Sequence, residues 1–193
     1  AAINTAGVEP GATVAVFGCG GVGLNCIQGA AMSGATTIIA VDLLDNKLDL
    51  GREFGATHTV NAANEDPVER IRELTGGDGV HYAFEAIGLV EAPFVQSVHC
   101  TRSRGVSIWV GHAPDDTPVT IDAKDLQMEK SIIASMYGSS RPQIDFPRYI
   151  ALYKAGKLKL DELVSRTLPL EEVNSAFDSL AKGEVARSVL TFD

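Results

Sequence analysis

The stretch Gly18-Cys19-Gly20-Gly21-Val22-Gly23 follows directly on the apolar run Thr13-Val14-Ala15-Val16-Phe17 and leads into a segment with helical spacing. A second apolar run, Thr37-Ile38-Ile39-Ala40-Val41, ends on Asp42. Glycines in the order G-x-G-x-x-G say little alone. Between a strand and a helix, with an acid about 20 residues on, they form a dinucleotide-binding fingerprint and commit this part of the chain to a βαβ unit. Gly18 is expected to turn the chain sharply off the strand, where a Cβ would collide. Gly20 is expected to leave room for a pyrophosphate, and Gly23 to let the helix lie close against the strand. The N–H groups of Gly21 and Val22, with the helix dipole behind them, would then meet the phosphates. Asp42 would accept hydrogen bonds from the adenosine ribose and repel a 2′-phosphate. Leu43 and Leu44 follow it, with no arginine to receive that phosphate, so the pattern favours NAD over NADP. Asp45, ahead of Asn46-Lys47-Leu48, is expected to cap the next helix, which leaves Asp42 for a ligand. Enzymes that bind FAD or S-adenosylmethionine share parts of the pattern and stay open as alternatives.

The chain has 193 residues, of which 45% are hydrophobic and 21% charged, enough for one domain with a real core, or for one domain plus an appendage. A formal net charge of −9 argues against a nucleic-acid partner, because phosphate neutralisation needs clustered Lys and Arg. No apolar run reaches spanning length, so no membrane partner is expected, and no signal peptide is visible. Cys19, Cys26 and Cys100 are scattered and odd in number, which points to a reducing cytoplasm rather than a disulfide framework or metal knuckle.

The expected elements alternate. Ala1 to Ala6 reads as a helix closed by Gly7, and because it opens without a cap we expect polypeptide upstream of it. Val22, Cys26, Ile27, Ala30 and Ala31 share one face of the helix after the glycines, which Gly34 ends. Strands are expected at 13–17, 37–41, 57–60, 80–85, 105–110 and 131–136, with helices at 46–54, from Pro67, and at 91–101. This rhythm indicates an α/β fold, a doubly wound parallel six-stranded Rossmann sheet with ligands at the carboxyl ends of its strands. After Gly138 the rhythm changes. Helices are expected at 146–155 and 170–180, extended chain at 163–168 and a terminal strand at 185–192. With no βαβ partner of its own, this C-terminal α+β appendage looks like part of another domain. Residues 1–137, with 1–9 as a remnant helix and turn, and 138–193 are the expected division.

The chain resembles the zinc-dependent alcohol dehydrogenases of the medium-chain dehydrogenase/reductase superfamily, with the class III-like and bacterial members most alike. The resemblance rests on Ala15 to Leu24, Ala40-Val41-Asp42-Leu43 with Lys47, Phe54-Gly55-Ala56-Thr57, Phe84-Glu85-Ala86-Ile87-Gly88, Val110-Gly111 and the tail Gly183 to Phe192. It implies that Gly18, Gly20, Gly21, Val22 and Gly23 hold the pyrophosphate of NAD and that Asp42, joined by Lys47, holds the adenosine ribose. Ile87 flanks the adenosine. Backbone groups at Val110, Ser135 and Tyr137 take the nicotinamide carboxamide, and Arg187 reaches back to the pyrophosphate. The family's zinc ligands and proton relay lie upstream of Ala1 in the usual layout. The resemblance therefore implies no catalytic and no metal-binding residue in this stretch, and places zinc in the absent N-terminal domain of a truncated catalytic domain.

His58, His81, His99 and His112 lack ligand spacing. His112 alone is expected near the nicotinamide. The function this implies is the NAD(H)-binding portion of an enzyme that moves a hydride between a small alcohol or aldehyde and nicotinamide. A stand-alone NAD(H)-sensing module without catalysis and a zinc-free medium-chain reductase are the alternatives. The apolar run 131–136 is expected at a sheet edge, where the family joins into a homodimer.

Overall fold

The computed structural model describes residues 1–192, so Asp193, the last residue of the expected C-terminal segment, lies outside the described residues. The chain divides into two compact units, Ala1–Arg141 and Pro142 onward.

The first unit is built on six parallel strands: β1 (Thr13–Phe17), β2 (Thr37–Asp42), β3 (His58–Asn61), β4 (Val80–Glu85), β5 (Thr101–Trp109) and β6 (Ser131–Ala134). Their spatial order is β3-β2-β1-β4-β5-β6. The order reverses between β1 and β4, which makes a crevice at their carboxyl ends. β1 pairs on one side with β2, Val14 opposite Ile38, and on the other with β4, Val14 opposite Tyr82. A strand flanked on both edges and covered on both faces must be apolar throughout, which is why Val14, Ala15, Val16 and Phe17 are all buried.

Five helices connect these strands: α1 (Gly21–Met32), α2 (Asp45–Glu53), α3 (Pro67–Leu74), α4 (Glu91–His99) and α5 (Ala123–Gln127). One core face gathers Ala15, Phe17, Ile39, Val41, Val60 and Ile71. Each Val, Ile or Phe buried there contributes about 1.5–3 kcal/mol. Asp66 caps α3, accepting from the N–H groups of Val68 and Glu69, and Pro67 stands at the first helical position, where its missing N–H costs nothing.

Several expectations need correction. Ala1 to Ala6 forms a turn, not a helix, with the Thr5 and Ala6 N–H groups both donating to the Ala1 carbonyl. Along α1, Cys26, Ile27 and Ala30 are buried, but Val22 and Ala31 point to solvent, because the sheet covers only one stripe of the helix. Leu44, not Asp45, is the residue at the N-cap of α2, and Asp45 instead accepts from Asn61 Nδ2 at 2.7 Å. β5 begins at Thr101, inside the span expected to be helical, because three residues bulge out: Thr101 pairs with Val80, but the next pairing is Val106 with Tyr82. Asp122 caps the short α5, which the sequence pattern did not suggest. β6 stops at Ala134 and occupies a sheet edge.

The second unit holds α6 (Pro142–Lys154), β7 (Arg166–Pro169), α7 (Val173–Ala181) and β8 (Ser188–Thr191). α6 starts before the expected Phe146 and carries Pro147 within it. Short 3-10 turns occupy Asp161–Leu163, which takes in only the first residue of the stretch expected to be extended, and Leu170–Glu172, where helix was expected. β7 and β8 pair in parallel, Thr167 opposite Val189, so this unit contains a βαβ element of its own. That reverses the expectation from sequence.

Candidate functional site

β1 delivers the chain to Gly18 at the centre of the crevice. Gly18 adopts φ +92°, a conformation that L side chains avoid, and a Cβ there would also lie 2.6 Å from Ile87 Cγ1. The Gly18 N–H donates to the Val41 carbonyl at 2.8 Å, which ties the loop to β2. Gly20 caps α1 without a side-chain bond, and its carbonyl accepts the first helical hydrogen bond, from Leu24 N–H at 2.9 Å. A Cβ on Gly20 would meet no atom within 4 Å, so open space lies above it. Gly23 is the opposite case: a Cβ there would run into the Gly18 carbonyl oxygen. The close approach that Gly23 permits is therefore first of all helix on glycine loop, with the strand atom Val16 Cγ1 further off at 3.6 Å. The N–H groups of Gly21 and Val22 stand in the first turn of α1, where no helical carbonyl precedes them.

Asp42, at the end of β2, is not free. One carboxylate oxygen accepts from the Cys19 N–H at 2.8 Å, and the other from the N–H groups of Leu43 at 2.8 Å and Leu44 at 3.2 Å. These bonds occupy three of about four acceptor positions on a carboxylate, so one remains for a sugar hydroxyl.

Gly18, Gly20, Asp42, Lys47 and Ile87 line a single cavity of about 540 Å³. That volume suits a small ligand. Leu43, Leu44, Val90 and Pro93 add an apolar wall that the sequence reading did not assign. Their signal was weak, because an apolar residue after a strand is commonplace. Gly21, Val22 and Gly23, on α1, are not among the residues that line it. Val110, Ser135 and Tyr137 lie outside it, past the ends of β5 and β6. The Val110 and Ser135 N–H groups already donate to the carbonyls of Glu85 and Trp109, both at 2.8 Å, which leaves carbonyl oxygens as what these backbones offer. Tyr137 takes φ +48° and is exposed. Arg187 belongs to the second unit, where it is exposed beside Ser188 and its carbonyl accepts from the Ser165 N–H at 2.8 Å.

Glu85, within the Phe84–Gly88 motif, has no role among those the resemblance implies. It is fully buried at the end of β4, and its Oε1 accepts from the N–H groups of Ile87 at 2.7 Å and Gly88 at 2.8 Å. Burial pushes its carboxyl above the usual carboxylate range, against the pull of the Gly88 and Ile87 N–H groups. An acid closing an apolar strand was the signal that singled out Asp42, and it applied equally here.

Each of the four histidines has a structural setting. His81 Nδ1 accepts from the Thr13 N–H at 3.1 Å, His99 lies 3.0 Å from Asp125, and His58 Nδ1 lies 2.9 Å from the Thr57 hydroxyl. His112 packs its backbone against Gly88. Among the described residues, no group of three or more His, Cys, Asp or Glu side chains could hold a metal ion, so the residues present do not fit a zinc site. No helix among them is long and apolar enough to cross a membrane.

Residues 21–155 match the family described as zinc-binding dehydrogenase. The structure is similar to that of an alcohol dehydrogenase zinc-binding domain protein from Burkholderia ambifaria, with 37% identity and a TM-score of 0.94, covering 100% of this chain and 51% of that one. Benzyl alcohol dehydrogenase from Acinetobacter calcoaceticus gives 32% identity and a TM-score of 0.95, with coverage of 100% and 53%. A putative zinc-binding dehydrogenase from Sinorhizobium meliloti 1021 bound to NADP gives 27% identity and a TM-score of 0.79, again with 100% and 53% covered. The chain thus spans about half the length of these similar proteins.

Proposed function

The chain belongs to the zinc-binding dehydrogenase family, and from that premise we propose that its first unit seats the NAD(H) of an alcohol dehydrogenase. The observation that carries this reading is the cavity in which open space above Gly20 meets the Asp42 carboxylate. The amides of Gly21 and Val22 hold the pyrophosphate at the start of α1. Asp42 uses its remaining acceptor position on the adenosine ribose, and Lys47 lies along the same wall. Leu43, Leu44, Ile87 and Val90 exclude water from the adenine.

NAD is favoured over NADP because a 2′-phosphate would meet a carboxylate already committed to three backbone N–H groups, with no arginine next to it. The carbonyls near Val110, Ser135 and Tyr137 orient the nicotinamide amide. The nicotinamide, when bound, gives or takes the hydride, and the protein's part is to position and shield it.

The full enzyme acts on a small alcohol or aldehyde in our reading, with zinc supplied by residues outside this sequence. Three buried free thiols suit a reducing cytoplasm. The exposed edge at β6 is the surface through which we expect a homodimer. The chain by itself is expected to bind coenzyme without turning over alcohol.

Calorimetric titration with NADH tests the reading. Uptake by the chain is expected, as is a loss of at least about tenfold in affinity in Gly20→Ala, whose new methyl fills ligand space but touches no protein atom. An unaltered affinity in a folded Gly20→Ala would remove the pyrophosphate from this loop.

A further inference from the structure

Glu85 sits where the loops after β4 and β5 meet. Its side chain reaches forward to the Ile87 and Gly88 N–H groups, and its main-chain carbonyl accepts from Val110 N–H at 2.8 Å and Gly111 N–H at 2.9 Å. One residue therefore fastens both loops. The fit between them is tight. A Cβ on Gly111 would strike Glu85 Oε2 and the Gly88 nitrogen, and one on Gly88 would strike the His112 backbone. Oε2 is buried with no hydrogen-bond partner among the described residues. Ile87, held by this side chain, lines the cavity and stands over Gly18.

We propose that Glu85 is a positioning residue of the coenzyme cleft, whose carboxyl side chain fixes Ile87 on the adenosine wall and locks that wall to the Val110–His112 loop. This rests on the coenzyme-binding reading above. A glutamine can stand in for Glu85, because its amide oxygen would accept from Ile87 and Gly88 as Oε1 does. Aspartate cannot, because it is one methylene shorter.

The test is calorimetry with NADH, and with AMP as a probe of the adenosine half alone, on the unaltered chain, Glu85→Gln and Glu85→Asp. All are measured well below their unfolding temperatures and corrected for folded fraction. Glu85→Asp is expected to weaken both ligands about tenfold, and Glu85→Gln to stay within about twofold. A purely structural role would lower the unfolding temperature and leave affinity per folded molecule unchanged, and that result overturns the proposal. Equal weakening by Gln and Asp overturns it too. If the unaltered chain takes up no NADH, the coenzyme reading falls and this inference with it. If it binds and Glu85→Asp matches it, only the inference falls. Should Glu85→Asp fail to fold, amide exchange decides: the Ile87 and Gly88 N–H groups are expected to exchange slowly before ligand is added, and fast exchange at either refutes the clamp.

Discussion

The Asp42 carboxylate accepts the Cys19 backbone N–H at 2.8 Å, joining the end of β2 to the glycine loop that leaves β1. The acid that marks the nucleotide fingerprint is thus also a structural brace. Its second oxygen caps the turn that enters α2. In the proposed function, binding and architecture share this one side chain, and a substitution there is expected to disturb both.

Asp42→Ala is accordingly expected to destabilise the chain by about 1–2 kcal/mol, because three N–H groups lose their acceptor. NADH affinity is expected to fall at least about tenfold, and discrimination against NADPH to shrink. Asp42→Asn keeps one acceptor oxygen and is expected to lose less of each. Urea denaturation paired with calorimetry for both coenzymes measures this. An Ala variant with native stability would refute the brace.

Gly23→Ala is expected to cost at least about 2 kcal/mol, since its methyl meets a main-chain oxygen that cannot move without the whole loop. Gly20→Ala is expected to stay within about 1 kcal/mol of the unaltered chain. Thermal unfolding of the two variants side by side separates a glycine needed for packing from one that packing does not require.

Stability is expected to depend on His81. Its Nδ1 accepts from the Thr13 N–H and lies 2.8 Å from the Thr13 hydroxyl, an arrangement that the protonated ring cannot keep. Burial first, then Arg102, lowers its pKa below the ordinary 6.5, against a smaller opposing effect of Glu9. A lowered value means the folded state binds fewer protons. The contribution is complete above pH 6.5 and is lost as pH falls from there through the folded value. Denaturation midpoints between pH 7.5 and 5 are expected to fall less in His81→Gln than in the unaltered chain. Equal slopes would show that His81 is not the group.

Thiol reagents are expected to find no target in the native chain. Burial pushes the Cys19 and Cys100 thiols up to about 12 and that of Cys26 up to about 11. At pH 8 their thiolate fraction is at most on the order of one in a thousand. Mass spectrometry after alkylation should show labelling only once denaturant is added. Rapid native labelling of Cys19 would mean that the glycine loop opens.

The central strands were legible because burial on both faces leaves an apolar run with an abrupt polar end. Val80 to Glu85 was bounded correctly for that reason. The start of β5 was not legible, since the bulge at Arg102-Ser103-Arg104 places polar residues where a strand pattern calls for apolar ones. The parallel pairing of β7 with β8 depends on a contact across α7 that no local pattern encodes. In the site, Gly18, Gly20 and Asp42 could be read from spacing alone. That Asp42 would serve the backbone depended on where Cys19, Leu43 and Leu44 place their N–H groups, which no spacing encodes.

The placement of β1 between β2 and β4 carries a cost during synthesis. A parallel partner can arrive only after a crossover, and three helices and two strands lie between β1 and β4. On the ribosome, one rim of the most apolar strand therefore stays bare until Val80–Glu85 has emerged. A polypeptide stopped before that point would display an open hydrogen-bonding rim to its copies, and the period of greatest aggregation hazard closes only when β4 docks.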